Sequence, residues 1–254
     1  MEETIKDLGA YNNGMAKSLQ DKLFFLPIIG DRIGTFTDFG CADGTLLEAV
    51  HNALPRVNLR GIDMNSDMLV LAEEKVPTAK LIQSSLPIGG FGGTLNLSSV
   101  LHEVYSYCNE DEQEDFWKSV NYGWNYIVIR DMVYNDTKDD IVPTSDVLSV
   151  SSSTIHIDAN RLEEFESIWG SIRNKKNFIH LLLKYRYIQN WSREVRENYL
   201  GYSTDDIISH INSDRYELIY RKDYILPFLQ DRVSRDFGIQ IDTPTHTNLI
   251  FKRR

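Results

Sequence analysis

The chain has 254 residues, with 27 Lys and Arg against 37 Asp and Glu and a net charge of −10. That charge argues against a general nucleic-acid binder, and no apolar run approaches the roughly 20 residues needed to span a bilayer. Cys41 and Cys108, the two cysteines, give neither a disulfide framework nor a zinc motif, and the polar, acidic start is not a signal peptide. The expectation is a soluble, cytoplasmic protein.

In chain order, a helix is expected around residues 15–25, then a β-rich stretch, TFTDFGC, that ends in a glycine turn. GTLLEAVHNAL carries Leu46, Leu47, Val50 and Leu54 at helical spacing. VNLRGIDM reads as a strand, and NSDMLVLAEEKV as a helix that Asn65 or Ser66 can cap. AKLIQSS and GTLNLSSVL are further strands, EDEQEDFWKSVNYG a helix with an acidic first turn, and NYIVIRDMV a fifth strand. The alternation stops near Asn135. Helices are then expected in ANRLEEFESIWGSI, NFIHLLLKYRYI, WSREVRENYL and STDDIISHI, and two strands close the chain, RYELIYRKDYIL and THTNLIFKR.

Strands alternating with helices predict a doubly wound, mostly parallel α/β sheet. The whole chain reads as one domain: a helical cap over 1–34, a ligand-binding half over 35–135, a mainly helical insertion over 136–212 and closing strands over 213–254. Charge is uneven along it. Residues 1–170 hold 12 basic and 27 acidic side chains, whereas residues 171–200 hold 7 basic and 2 acidic.

Such a sheet binds its ligand at the carboxyl ends of the strands, where strand order reverses. The loop DFGCADGT supplies Gly40, Ala42 and Gly44, with Thr45 where a dinucleotide fingerprint has its third glycine. Asp38 and Asp43 bracket the loop. They would repel a pyrophosphate and tolerate a ligand carrying a cation. Asp63 stands 25 residues after Asp38 at the end of the second strand, placed to accept ribose hydroxyls. Ser84 and Ser85 end the third strand, where an adenine edge would fall.

DFGCADG resembles the D-x-G-x-G-x-G loop of class I S-adenosylmethionine-dependent methyltransferases, with Ala42 in place of the middle glycine. GIDMNSDML is similar to their second motif, LNLSSVLHEVYSY to their fourth, and YIVIRDM to a later strand. The likeness covers residues 35–132 well and 215–253 loosely. It implies a seven-stranded sheet of the class I type whose last strand is antiparallel. It also implies S-adenosyl-L-methionine as cofactor, held by Asp38, Gly40, Cys41, Ala42, Gly44, Asp63, Met64, Ser84, Ser85 and Ser98. It implies methyl transfer to an oxygen or nitrogen of a small-molecule or nucleotide-like acceptor. An RNA end as acceptor, a catalytically silent cofactor-binding subunit and, less favoured, a nicotinamide-dependent oxidoreductase stay open.

His102, Glu103 and Arg130 are the candidate catalytic groups, at the ends of the fourth and fifth strands. His102 reads either as a structural histidine or as a general base. No acid or histidine at helical spacing accompanies it, so no metal is expected. Cys41 reads as a packed residue and Asp43 as a possible helix cap. Tyr11 and Tyr105 are candidates for acceptor contact. So are Lys184, Arg186, Trp191 and Arg193 of the basic, aromatic insertion, which would meet phosphate if the acceptor carries one and otherwise pack as a lid. The oligomeric state is open, and no membrane is expected.

Overall fold

The computed structural model describes residues 18–89, 92–136 and 140–254. Seven strands form one sheet: β1 (Thr35–Phe39), β2 (Asn58–Asp63), β3 (Lys80–Gln83), β4 (Thr94–Ser98), β5 (Tyr126–Met132), β6 (Tyr216–Tyr224) and β7 (His246–Arg253). Their order is β3-β2-β1-β4-β5-β7-β6. The first five pair parallel, and β7 pairs antiparallel with both β5 and β6. Strand order therefore reverses between β1 and β4, and their carboxyl ends open the crevice in which this class of sheet takes ligands.

Alternation along the strands builds two cores. Ile127 and Ile129 of β5 pack with Leu95, Leu97, Phe116, Trp124, Leu249 and Phe251 on one face. Tyr126 and Val128 pack with Phe25, Phe36, Leu47, Val50 and Ile250 on the other. Helices α1 (Thr45–Ala53), α2 (Ser66–Lys75), α3 (Leu101–Tyr107) and α4 (Glu110–Val120) connect the parallel strands. Asn65 caps α2 by accepting from the amides of Asp67 and Met68, as its sequence position suggests.

Gly61 shows how close α1 approaches the sheet. A Cβ there would stand 2.8 Å from the Cys41 sulfur, 2.8 Å from Leu81 and 2.9 Å from Leu47. Three separate elements would have to give way. Gly61→Ala is therefore expected to cost about 1–3 kcal/mol through overpacking. An unchanged urea midpoint with an unchanged slope would refute that.

The insertion holds α5 (Thr144–Ser151), α6 (Ala159–Trp169), α7 (Lys175–Lys184) and α8 (Thr204–His210). A third core, with Phe165, Leu181, Leu182, Tyr185 and Val195 at its centre, fills it. That core also takes in Leu229, Val233 and Phe237 of α9 (Pro227–Phe237). α9 corrects the expectation that only strands follow residue 213. The expected helix in WSREVRENYL is a single turn, Trp191–Glu194. It stops because the Lys184 ammonium takes the carbonyls of Glu194 and Glu197, at 2.7 and 2.6 Å. The Asn198 amide meanwhile donates to the Ser106 hydroxyl. At the other end, residues 18–22 are helical within the expected 15–25. Among the described residues, no helix is long and apolar enough to cross a membrane.

Candidate active site

The loop between β1 and α1 is tied down by β2. The amides of Gly40 and Cys41 donate to the Ile62 carbonyl, and the Ala42 amide donates to Asp63 Oδ2 at 2.8 Å. The second oxygen of Asp63 accepts from the Asn65 amide at 2.9 Å. One carboxylate thus fixes the loop and the start of the next turn, and each oxygen keeps a lone pair for a ligand. Ala42 adopts φ 44°, left-handed backbone suited to the glycine expected there by resemblance. Its hydrogen bond to Asp63 helps offset that strain. Gly44 has φ 76°, and a Cβ on it would meet Ala72 at 3.0 Å. Glycine at 44 therefore lets α1 and α2 converge behind the loop.

The two acids bracketing the loop are not equivalent. Asp43 is committed to the fold: it accepts from the Thr45 amide and hydroxyl and pairs with Lys75 at 2.6 Å. Burial would raise its carboxyl, but these donors hold it below the usual range. Asp38 is buried at the end of β1 and accepts from Asn96 at 2.7 Å. Burial pushes its carboxyl upward, against the Asn96 bond and the charge of the buried Lys22.

The remaining candidates for the donor surround this loop. Met64 is exposed on the rim. Ser84 bonds back to Leu86, its own amide donating to the Asp63 carbonyl, and Ser85 is exposed beside it. Ser98 Oγ and Asn96 Oδ1 on β4 are buried with no hydrogen-bond partner. Orphaned acceptors at the crevice, an open-cornered loop and the Asp63 carboxylate suit a polar ligand with ribose hydroxyls. Cys41 is packed against the sheet, its thiol pushed well up, first by burial and then by Asp38 and Asp63. It contributes bulk and no nucleophile.

Beyond β4, α3 begins on Asp131 of β5. Asp131 accepts from the amides of Val100 and Leu101 at 2.9 and 2.7 Å, from its neighbour Met132 at 2.8 Å, and from His102 Nδ1 at 2.9 Å. His102 Nε2 faces Glu197 Oε2 at 3.9 Å. Arg193 joins Glu197 to Glu103, 2.8 Å from each, and Tyr107 donates to Glu197 at 2.9 Å. Burial opposes the imidazolium. Asp131, by charge and hydrogen bond, more than offsets this, with Glu103 and Glu197 behind it, and pushes His102 up to about 9. That upward shift favours the protonated imidazolium at neutral pH, which suits orienting a ligand more than taking a proton from it.

His102 and Glu103 do converge, although adjacent. Their ligand atoms and those of Glu197 lie within 4.8 Å of one another. This trio was not legible from local spacing, because Glu197 arrives from the insertion. Arg193 already supplies a cation to both glutamates.

Other expected site residues are engaged elsewhere. Arg130 is buried, holding Asp21 through Nε at 2.8 Å and Ser99 at 2.7 Å, and Tyr224 donates to the same Asp21 at 2.6 Å. It clamps the N-terminal segment onto the sheet. Lys184 is fully buried against carbonyls and lies over the rings of Tyr199 and Trp169. Arg186 pairs with Asp236, and Trp191 donates to Glu164 at 2.8 Å within the helical core. Lys184, Arg186 and Arg193 are thus each engaged within the chain, and Trp191 offers its indole N–H to Glu164. Tyr105 is partly exposed, edge-on to Tyr202 at 5.0 Å. Tyr11 lies outside the described residues.

No family model matches the chain, and no curated protein matches it by sequence. Solved structures do match in shape. The methyltransferase domain of bacterial CtHen1-C aligns over 93% of this chain and 98% of its own, at TM-score 0.51 and 12% identity. MccD protein aligns over 95% and 98%, at 0.54 and 11%. The pyocyanin biosynthetic protein PhzM aligns over 98% of this chain and 60% of its own, at 0.56 and 11%. The fold is that of the class I methyltransferases. Within it, the Gly40–Gly44 loop and Asp63 stand at the reversal of strand order, and the His102 cluster stands beyond β4 and β5, beside them.

Proposed function

We propose that the chain is an S-adenosylmethionine-dependent methyltransferase acting on an oxygen or nitrogen of a polar small molecule. The observation that carries this reading is Asp63, which closes the Gly40–Gly44 loop through Ala42 and keeps acceptor capacity for a ribose. When bound, the donor supplies an electrophilic methyl on a sulfonium, transferred in line with loss of a neutral thioether. The chain's task is then alignment, from which effective molarity supplies most of the rate. Asp63 would hold the ribose. Ser84, Ser85 and Met64 would border the adenine, and Ser98 and Asn96 would face the crevice with unmet acceptors. His102, as a cation, would orient the acceptor or offset charge on it and would not remove its proton at neutral pH.

A phosphate-bearing acceptor, including an RNA end, is the weaker reading, because Lys184, Arg186 and Arg193 are all internally engaged. A thermal-shift series tests the cofactor. S-adenosylmethionine and S-adenosylhomocysteine should raise the melting temperature and NAD should not. Equal or greater stabilisation by NAD would overturn the reading. Methyl labelling across metabolite, RNA and protein pools would then find the acceptor.

A further inference from the structure

Beside the His102 cluster, a cleft of about 530 Å³ opens between the loop after β5, the first turn of α7 and the segment leading into α8. That is within the size range of small-molecule sites. Its floor is built by backbone closure: Tyr134 donates to the Tyr202 carbonyl at 3.2 Å, and the Thr204 amide donates to Asn135 Oδ1 at 2.8 Å. Tyr134 and Tyr202, both nearly buried, are among its lining residues, with Asn135, Asn177 and Ser203 as polar neighbours.

The charges in the lining decide what it can hold. Among the described residues three carboxylates border it, two beside cations of other segments and one held by neutral donors. Asp136 lies 3.6 Å from the Lys175 ammonium, Asp205 pairs with Arg221 at 2.6 Å, and Asp206 accepts from the Ser203 amide and hydroxyl at 2.8 and 2.7 Å. Lys176 differs. Among the described residues its ammonium has no ion-pair partner, and it stands 6.0 Å over the Tyr134 ring. Burial lowers its pKa, against the weaker pull of Asp206. Among the described residues that line the cleft, Lys176 is the cation without an ion-pair partner, with Asp206 as the acid that acts on it and amide groups around it. The surrounding carboxylates disfavour a dianion such as a phosphate monoester.

The cleft is joined to the His102 cluster by one short stretch of chain. Glu197 faces His102, Gly201 lies against the ring of Tyr105, where a Cβ would come within 2.4 Å, and Tyr202 lines the cleft. Tyr105 is on α3, three residues beyond His102. We propose that this cleft binds a carboxylate-bearing, ring-containing part of the acceptor, with Lys176 as its counter-charge and Tyr134 and Tyr202 as its walls. The identification of the occupant as the acceptor rests on the methyltransferase reading, whereas the preference for a carboxylate does not.

Binding of small probes to the whole chain, without any donor, tests it. Benzoate, benzamide and phenyl phosphate share a ring and differ in charge. Ligand-observed NMR titration should show saturable binding of benzoate, weaker binding of benzamide and weaker binding of phenyl phosphate. Lys176→Gln should weaken benzoate about tenfold, and Lys176→Arg should retain it, because a charge-assisted bond is lost in one and kept in the other. Lys176 is exposed along its side chain, its ammonium only partly desolvated, so both variants should melt like wild type. Benzoate binding that ignores Lys176→Gln, or that benzamide equals, would overturn the proposal. So would tighter binding of phenyl phosphate, which would make the cleft a phosphate site. Failure here would leave the S-adenosylmethionine thermal shift untouched, so the two readings fall separately.

Discussion

Asp131→Ala is expected to be the most damaging single substitution in the site, costing about 3–5 kcal/mol of stability, the range for breaking a buried charge pair from one side. Asp131 is 1% exposed and takes four donors, two of them the amides of Val100 and Leu101 where α3 begins. Its loss leaves an imidazolium and a helix start unpaired in the interior. Urea unfolding at pH 7 measures it, and a loss under about 1 kcal/mol would show that the network is dispensable.

The same pair makes stability depend on pH. The folded pKa of His102 lies near 9, above the unfolded value near 6.5. Its contribution is therefore complete below about pH 6.5, shrinks as pH rises toward 9 and is gone above it. The gap corresponds to about 3–4 kcal/mol at most. Asp131 is depressed, against the burial that would raise it, so its share persists above the ordinary carboxylate range and is lost only on acidification. The stability difference between wild type and His102→Asn should accordingly narrow between pH 6.5 and 9.5. A difference that stays constant over that window would mean that His102 is neutral in the folded protein.

The second large effect concerns the donor. Asp63→Ala should weaken binding of S-adenosylhomocysteine by about 1.5–3 kcal/mol, the range for hydrogen bonds to a charged group, or roughly 10- to 150-fold in Kd. Two effects add: the ribose partner is removed, and the Ala42 amide loses the oxygen that holds it in left-handed backbone. The fold should survive, because Asp63 ends a strand at the crevice and is only half buried. Calorimetry that finds wild-type affinity in Asp63→Ala would remove Asp63 from the ribose role.

The sheet and its loop could be read from residues alone because their signals are local. A continuous apolar run, buried on both faces, marks β5, Asn65 marks the start of α2, and Gly40, Ala42 and Gly44 mark the turn. α9 carried signals too, Pro227 in its first turn and Gly238 at its end with φ 72°, but its flanking strands masked them. α5 was harder, since the serines and valines of TSDVLSVS depress helix propensity and tertiary packing decides the outcome. The His102 cluster could not be assembled from sequence. Glu197 and Arg193 come from some 90 residues away, on a stretch where a helix that local pattern would have continued ends after one turn and its carbonyls meet Lys184. Of the basic residues that suggested phosphate contacts, Arg186 and Arg193 pair with acids of the chain and Lys184 bonds to carbonyls, contacts that join distant segments and leave no local sequence signal.

The position of β7 has a consequence for how the chain is assembled. β7 lies between β5 and β6, yet follows both in sequence. Until residues His246–Arg253 are in place, β5 presents an unpaired apolar edge and β6 has no neighbour. The sheet cannot finish progressively from the N-terminus, because its last-made strand is the keystone of that half. During synthesis, the edge of β5 that β7 later covers is where this protein is open to mispairing with other chains.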